Sequence, residues 1–291
     1  MASHPYELNW KKLDPEARLG FAARRFTGVG NLSSALLGLL FTGVFYLLLY
    51  PLWQMNRWQM VNMFFHGGPE NRSTIPYYTM FLTMWSLAFL LIKWRKLVIQ
   101  KRALRIRLLP DDPDYILSPQ NSAELIRHLN RRVYMAEGFL VHNRILKALA
   151  NLKNIGRVAD VSSVLKDLAA ADEKYTEGTY TLPRGLIWAI PVTGFIGTVL
   201  GLSQAIGGFG AVVARGADFS ELKSSLGGVT GGLAVAFETT LIALVAALIV
   251  QLLLTILVQK EEAFLDECSS YCYRNIVSRL RLIDIREELE S

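Results

Sequence analysis

Apolar positions are arranged in two distinct ways along this chain. Four stretches are apolar on every side: residues 32–52, 73–92 and 185–214 contain no charge at all, and residues 224–259 contain one, Glu238. A helix needs about 20 predominantly apolar residues to cross a bilayer, so each stretch is long enough to span once. The pattern therefore predicts an all-α integral membrane protein with four transmembrane helices. Aromatic residues mark the span ends, with Tyr50-Pro51-Leu52-Trp53 closing the first and Pro76-Tyr77-Tyr78 opening the second, which leaves through Lys93-Trp94-Arg95.

The polar segments show helical periodicity instead. The second span is expected to run on to Leu108, where Pro110-Asp111-Asp112-Pro113 stops it, since proline lacks the amide donor and clashes with the preceding turn. Asn121-Ser122-Ala123-Glu124 resembles a capping start. From there Leu125, Leu129, Val133, Ala136 and Leu140 recur at helical spacing and continue through Ile145 to Leu152. A further helix is expected over 158–175, followed by a linker at 178–183. The fourth span continues as an apolar stripe among charges (Phe264, Leu265, Cys268, Cys272, Ile276, Leu280, Ile283) to about Glu288. Such a stripe needs a cover, either the 121–152 helix of the same chain or the same helix of another subunit. The resulting domains are an N-terminal amphipathic segment lying along the membrane surface (1–31), a hairpin of spans one and two (32–94), a helical insert (95–184), a second hairpin of spans three and four (185–259) and a helical tail (260–291).

Composition agrees with this layout. Of 291 residues, 52% are hydrophobic and 19% charged, with a mean hydropathy of +0.27, whereas soluble chains carry roughly 25% charged residues. A soluble enzyme is excluded. The net charge of +6 does not indicate nucleic acid, because the basic residues flank the spans. Lys11, Lys12, Arg18, Arg24 and Arg25 precede the first, and Lys93 to Arg107 follow the second. The short hairpin loops hold only Arg57 and Arg72, or Arg215 and Lys223. By the positive-inside rule both termini and the insert are cytoplasmic and the protein is multi-pass in a cytoplasmic membrane, in contact with lipid. The first apolar run is too long, and starts too late, for a cleavable signal. Cys268 and Cys272 read as reduced, half-buried helix residues, and the four scattered histidines lack ligand spacing. No cofactor and no enzymatic chemistry are expected: no phosphate loop, metal cluster or nucleophile motif is visible.

The spans differ in chemistry. The first two carry no ionisable group and read as lipid-facing packing helices. The third has small residues on one side (Gly194, Gly197, Gly201) and hydroxyls at Thr193 and Thr198; Gly197 and Gly201 form a GxxxG pair, which permits close helix contact. The fourth opens with overlapping pairs, Gly227/Gly231 and Gly228/Gly232, and continues to Glu238-Thr239-Thr240. A charged side chain at a helix centre costs about 2.5–3.5 kcal/mol on translocon scales, so such residues face a bundle interior or a water-filled path. Burial favours the neutral acid, protonated or poised to exchange a proton. A carboxyl beside the hydroxyls of Thr239, Thr240 and Thr198 is what an ion pathway requires, since hydroxyls both donate and accept. A neutral glutamic acid making one interhelical hydrogen bond is the structural alternative.

Pro191-x-x-Gly194-x-x-Gly197-Thr198-Val199-x-Gly201-Leu202, followed by Gly232-Leu233-Ala234-Val235-Ala236-Phe237-Glu238-Thr239-Thr240-Leu241, resembles the paired spans of the MotA/TolQ/ExbB ion-channel proteins of bacterial membranes. The resemblance covers about 188–259 plus the continuing helix, and the four-span layout is closer to the flagellar-stator branch. It implies a homo-oligomer, a pentamer, around two copies of a single-span MotB/TolR/ExbD-like subunit carrying a membrane aspartate. It also implies passage of H+ or Na+ past that aspartate in a motor complex of the inner membrane, with the third and fourth spans lining the pore. Thr198 and Thr240 correspond position by position. Glu238 does not: the acidic position of TolQ and ExbB falls on Val235 here. The insert charges Arg127, Arg131, Arg132 and Glu137 read as a solvated face. The expected function is an ion-channel subunit, with a non-conducting oligomeric scaffold as the alternative.

Overall fold

The computed structural model describes residues 8–55, 59–65, 73–105, 116–151, 158–216 and 218–280. Among them the chain is all-α apart from two two-residue strands. In order come β1 (Leu8–Asn9), α1 (Trp10–Leu13), α2 (Pro15–Arg18), α3 (Asn31–Gln54), α4 (Gln59–Asn62), α5 (Ile75–Leu104) and α6 (Pro119–Arg132). Then follow β2 (Val133–Tyr134), α7 (Leu140–Asn151), α8 (Val158–Gly178), α9 (Thr181–Ala214) and α10 (Phe219–Asn275). The helices α3, α5, α9 and α10 are long and apolar enough to cross a membrane, and they fall on the four uncharged stretches. The chain divides into two compact units, one of 31–90 and 181–255, the other of 1–30, 91–180 and 256–291.

In the apolar unit, α3 is mostly open to its surroundings, with Leu39, Leu40 and Leu47 exposed. It approaches α5 closely at Gly38, where a Cβ would lie 2.5 Å from the Trp85 Cα; Trp85 Nε1 also donates to Ser34 Oγ at 3.1 Å. The expectation that α5 is equally lipid-facing is corrected, because half of its apolar stretch is buried. Thr79, Thr83 and Ser86 form a buried row on it. Thr83 and Ser86 satisfy themselves by donating to carbonyls one turn back, at 2.7 and 2.8 Å. Small residues make the α9–α10 contact, with Ile190, Ala243 and Ala247 buried beside Leu82.

The other unit is held by buried charge as much as by apolar packing. Within the N-terminal segment, β1, α1 and α2 fold against the insert. Trp10 is buried, edge-on to Phe139 at 5.1 Å, and β1 pairs in parallel with β2, Leu8 opposite Val133. Lys96, fully buried, binds Glu16 (2.5 Å), Asp14 (3.2 Å) and the Gly28 carbonyl (2.8 Å). Burial holds the Asp14 carboxyl above the ordinary range even so. One turn away, Lys93 donates to Thr179 (2.7 Å) and Thr27 (3.3 Å) and pairs with Glu261 at 3.1 Å; Glu261 also accepts from Tyr180 at 2.5 Å. The Lys93 ammonium sits 4.3 Å over the Tyr180 ring.

The single helix expected across 121–152 is broken. Its pattern holds on either side, but Val133 and Tyr134 leave it to pair with β1, Met135 turns at φ 57°, and a 3-10 turn covers Ala136–Gly138. Gly138 is required there because a Cβ would meet the Trp10 ring at 2.6 Å. The linker expected at 178–183 shrinks to Thr179 and Tyr180. Pro183 lies in the first turn of α9, where its missing N–H forfeits no helix bond. The tail helix stops at Asn275 rather than near 288, and the Arg279 carbonyl accepts from Leu117 N–H at 2.8 Å. The expected features at 106–113, Leu152, Ile283 and Glu288 lie outside the described residues.

The tail stripe is covered within the chain. Phe264, Leu265, Cys268, Cys272, Ile276 and Leu280 are all buried. On the same helix, Ser269 accepts from Arg144 of α7 at 2.9 Å, and Arg144 also pairs with Asp172 of α8 at 2.6 Å. Both cysteines are free and fully buried rather than half-buried, and burial pushes their thiols up, Cys272 to about 11.

Candidate functional site

The third and fourth spans meet along the stripe of small residues on α9. A Cβ at Gly194 would lie 2.5 Å from the Ala243 Cβ, and one at Gly197 would lie 2.5 Å from Thr239 Oγ1. One at Gly201 would come within 3.1 Å of the Ala236 Cβ, and one at Gly232 within 2.8 Å of the Ala205 Cβ. Real Cβ atoms do not tolerate the shortest of these, so glycine lets the backbones close up. Gly228 differs: a Cβ there would meet nothing within 4 Å. It makes no close helix contact among the described residues.

Close approach brings two hydroxyls together. Thr198 Oγ1 of α9 and Thr240 Oγ1 of α10 are hydrogen-bonded to each other. Thr198 also lies 3.1 Å from the Ala236 carbonyl and 3.3 Å from the Gly194 carbonyl, and Thr240 lies 3.1 Å from the latter. Two hydroxyl protons thus serve two carbonyls and each other, and they can be distributed in more than one way. Turned one way the pair offers a lone pair to a cation; turned the other, a proton to an acceptor. The threonines are half-buried.

The remaining residues read from the sequence occupy other places. Thr239 is buried and donates to the Ala236 carbonyl at 2.8 Å, beside Gly197, so it packs the interface. Thr193 donates to the Ile190 carbonyl at 2.6 Å and shares a 3.0 Å hydrogen bond with Thr79 of α5. The second span therefore does bring a polar group to the third. The sequence hid this because Thr79 sits in an uncharged run among aromatics and shows no pattern of its own. Glu238 is half-buried and held by interactions of its own. At 100° per residue it lies about 200° around α10 from Thr240. The carboxyl and the Thr198–Thr240 pair therefore belong to different faces of one helix, not to one cluster.

The sequence model of the MotA/TolQ/ExbB proton channel family matches residues 140–269. The match begins at α7 and includes α8, all of α9 and most of α10, well upstream of the region where the resemblance was legible. No curated protein matches the chain, and no solved structure does. The matched segment holds both helices that build the hydroxyl pair, and with α3 and α5 ahead of it also long and apolar enough to cross a membrane, this supports an ion-channel role in a multi-pass membrane protein. Over residues 140–269 the chain is therefore similar to the MotA/TolQ/ExbB proton channel family.

Proposed function

We propose that the chain is the channel-forming subunit of an ion-motive-force-driven motor. Five copies surround two single-span subunits, each with a membrane aspartate, and ions pass that aspartate beside a ring of Thr198–Thr240 pairs. The observation that carries this reading is the hydroxyl pair itself, set where two spans close to glycine contact and able to redistribute its protons. Its coordinating atoms are neutral oxygens, which suit a proton or a small dehydrating cation; the proton is favoured because the partner aspartate exchanges one. A charge crossing the membrane releases about 2.3 kcal/mol per 100 mV, and this would drive rotation or conformational work on the partner. The charge distribution supports a cytoplasmic position for both termini, in the inner membrane of a bacterium. Glu238, on the other face of α10, is assigned the ordering of water or a proton relay toward a neighbouring subunit.

The test is co-purification with a single-span partner, a subunit count by imaging, and flux in proteoliposomes read with both a proton and a sodium dye. Thr240→Val is expected to cut flux at least tenfold with assembly intact, and Glu238→Ala to reduce it. Full flux in Glu238→Ala would remove the relay role from that residue. An assembled complex that conducts neither ion would favour a non-conducting scaffold.

A further inference from the structure

The glycines of α10 have two different surroundings. Gly232 is packed against Ala205, whereas Gly228, one turn nearer the α9–α10 hairpin, faces open space. That space is a cavity of about 820 Å³ lined by α9, α10 and the residues just before α5. Its wall carries Gln204 of α9 and Ser224 and Ser225 of α10, and Arg215 and Glu221 stand at the hairpin end. An apolar cavity in a helical bundle stays dry, but one with several donors and acceptors and room for many molecules holds water. The opposite charges at the rim balance, and the interior offers only neutral hydroxyl and amide groups. Such a surface carries water and a small hydrated cation without trapping either.

The cavity ends where the helices close. Gly201 and Gly232 line its inner limit, and a Cβ at Gly201 would lie 3.2 Å from the Gly232 carbonyl oxygen and 3.1 Å from the Ala236 Cβ. Ala236 is also the residue whose carbonyl accepts from Thr198. The closed end of the cavity and the Thr198–Thr240 pair therefore lie on the same two helices, about one turn apart along α9 and about two along α10. This gives the glycines separate duties: Gly201 and Gly232 bring the helices together, while Gly228 keeps the space beside them empty.

We propose that this cavity is a hydrated cation vestibule, open at the α9–α10 hairpin and closed at the Gly201–Gly232 contact, from which the ion reaches the Thr198–Thr240 pair. The proposal rests on the channel reading above and assigns that route its aqueous half. It is tested in proteoliposomes of the complex with single cysteines at Gly228 and Ser224, and a lipid-facing control, Leu48→Cys. The water-soluble, permanently cationic thiol reagent MTSET is supplied on both faces. The native cysteines are buried, and the unsubstituted chain reports any background. Gly228→Cys and Ser224→Cys are expected to react at least tenfold faster than the control, and their modification to cut flux at least fivefold. Gly228→Trp, which fills the cavity, is expected to cut flux at least tenfold. Reaction no faster than the control would overturn the vestibule. Fast reaction, or a filled cavity, with undiminished flux would remove it from the ion route. Absence of flux in the unsubstituted complex would overturn the channel reading and the route with it, while the labelling still reports whether the cavity is wet.

Discussion

Lys93 offers the sharpest test of how the polar unit is held. Its ammonium is fully buried, pairs with Glu261 at 3.1 Å, donates to Thr179 and Thr27, and lies over the Tyr180 ring. Thr27 shortly precedes α3, Thr179 precedes α9, and Glu261 lies within α10, so one cation ties α5 and α10 to the segments that lead into the other two long apolar helices. Lys93→Met keeps the length and the apolar stem but removes the charge. Glu261, 2% exposed, would then keep a single hydrogen bond, from Tyr180, with its other oxygen already buried without a partner. Removing one member of a buried pair costs about 3–5 kcal/mol, because the other is left uncompensated. In a chain of this size, each kcal/mol moves the melting temperature by roughly 2–4 °C, so a fall of roughly 6–20 °C is expected by intrinsic tryptophan fluorescence in detergent. Replacing both members, Lys93→Met with Glu261→Leu, should recover most of the loss, since a well-packed apolar pair is often neutral relative to a buried ion pair. A Lys93→Met variant melting within about 1 °C of the parent would refute the argument. So would a double variant no better than the single one.

Three further outcomes follow from particular contacts. Gly197→Ala forces Thr239 off its hydrogen bond with Ala236, and overpacking of this kind costs about 1–3 kcal/mol, whereas Gly228→Ala should melt like the parent; equal melting of the two would contradict the close approach at Gly197. Among the described residues, His142 is fully buried with no hydrogen-bond partner for either nitrogen, and burial lowers it to about 4 from 6.5. Between those values the unfolded chain takes up a proton that the folded chain refuses, so stability falls as pH drops through that window, by about 3 kcal/mol in all. His142→Leu should flatten the melting curve against pH between 6.5 and 4, and an unchanged slope would show that other groups set it. Met135, exposed and at φ 57°, should accept glycine with no loss of stability, while Met135→Val should cost about 1–2 kcal/mol, because a β-branched side chain is strained there; chemical denaturation separates the two.

How much was legible from residues alone depended on whether the signal was local. The four spans follow from uncharged length, since a bilayer asks only that some 20 consecutive residues be apolar; α3 and α9 keep close to those stretches, while α5 and α10 run on well past them to Leu104 and Asn275. The close α9–α10 approach was legible as well, because glycines four apart leave a groove wherever the partner helix comes from, and the Thr198–Thr240 correspondence rode on that motif. The break at Val133–Gly138 was not legible, because the residues that impose it, Leu8 and Trp10, are more than a hundred positions away. The buried pairs of Lys93 and Lys96 were hidden for the same reason. Read locally, lysines after an apolar run are flanking charges; only the return of Asp14, Glu16 and Glu261 to the same place makes them a core.

The sequence by itself determined an all-α chain with four membrane-length helices and placed its candidate chemistry in the last two, because hydropathy and glycine spacing are properties of consecutive residues. Tertiary structure alone decided which hydroxyls meet, which glycines close a contact and which leave a cavity. Those depend on the partner each side chain finds across a helix interface, and a partner is not written at the position that needs it.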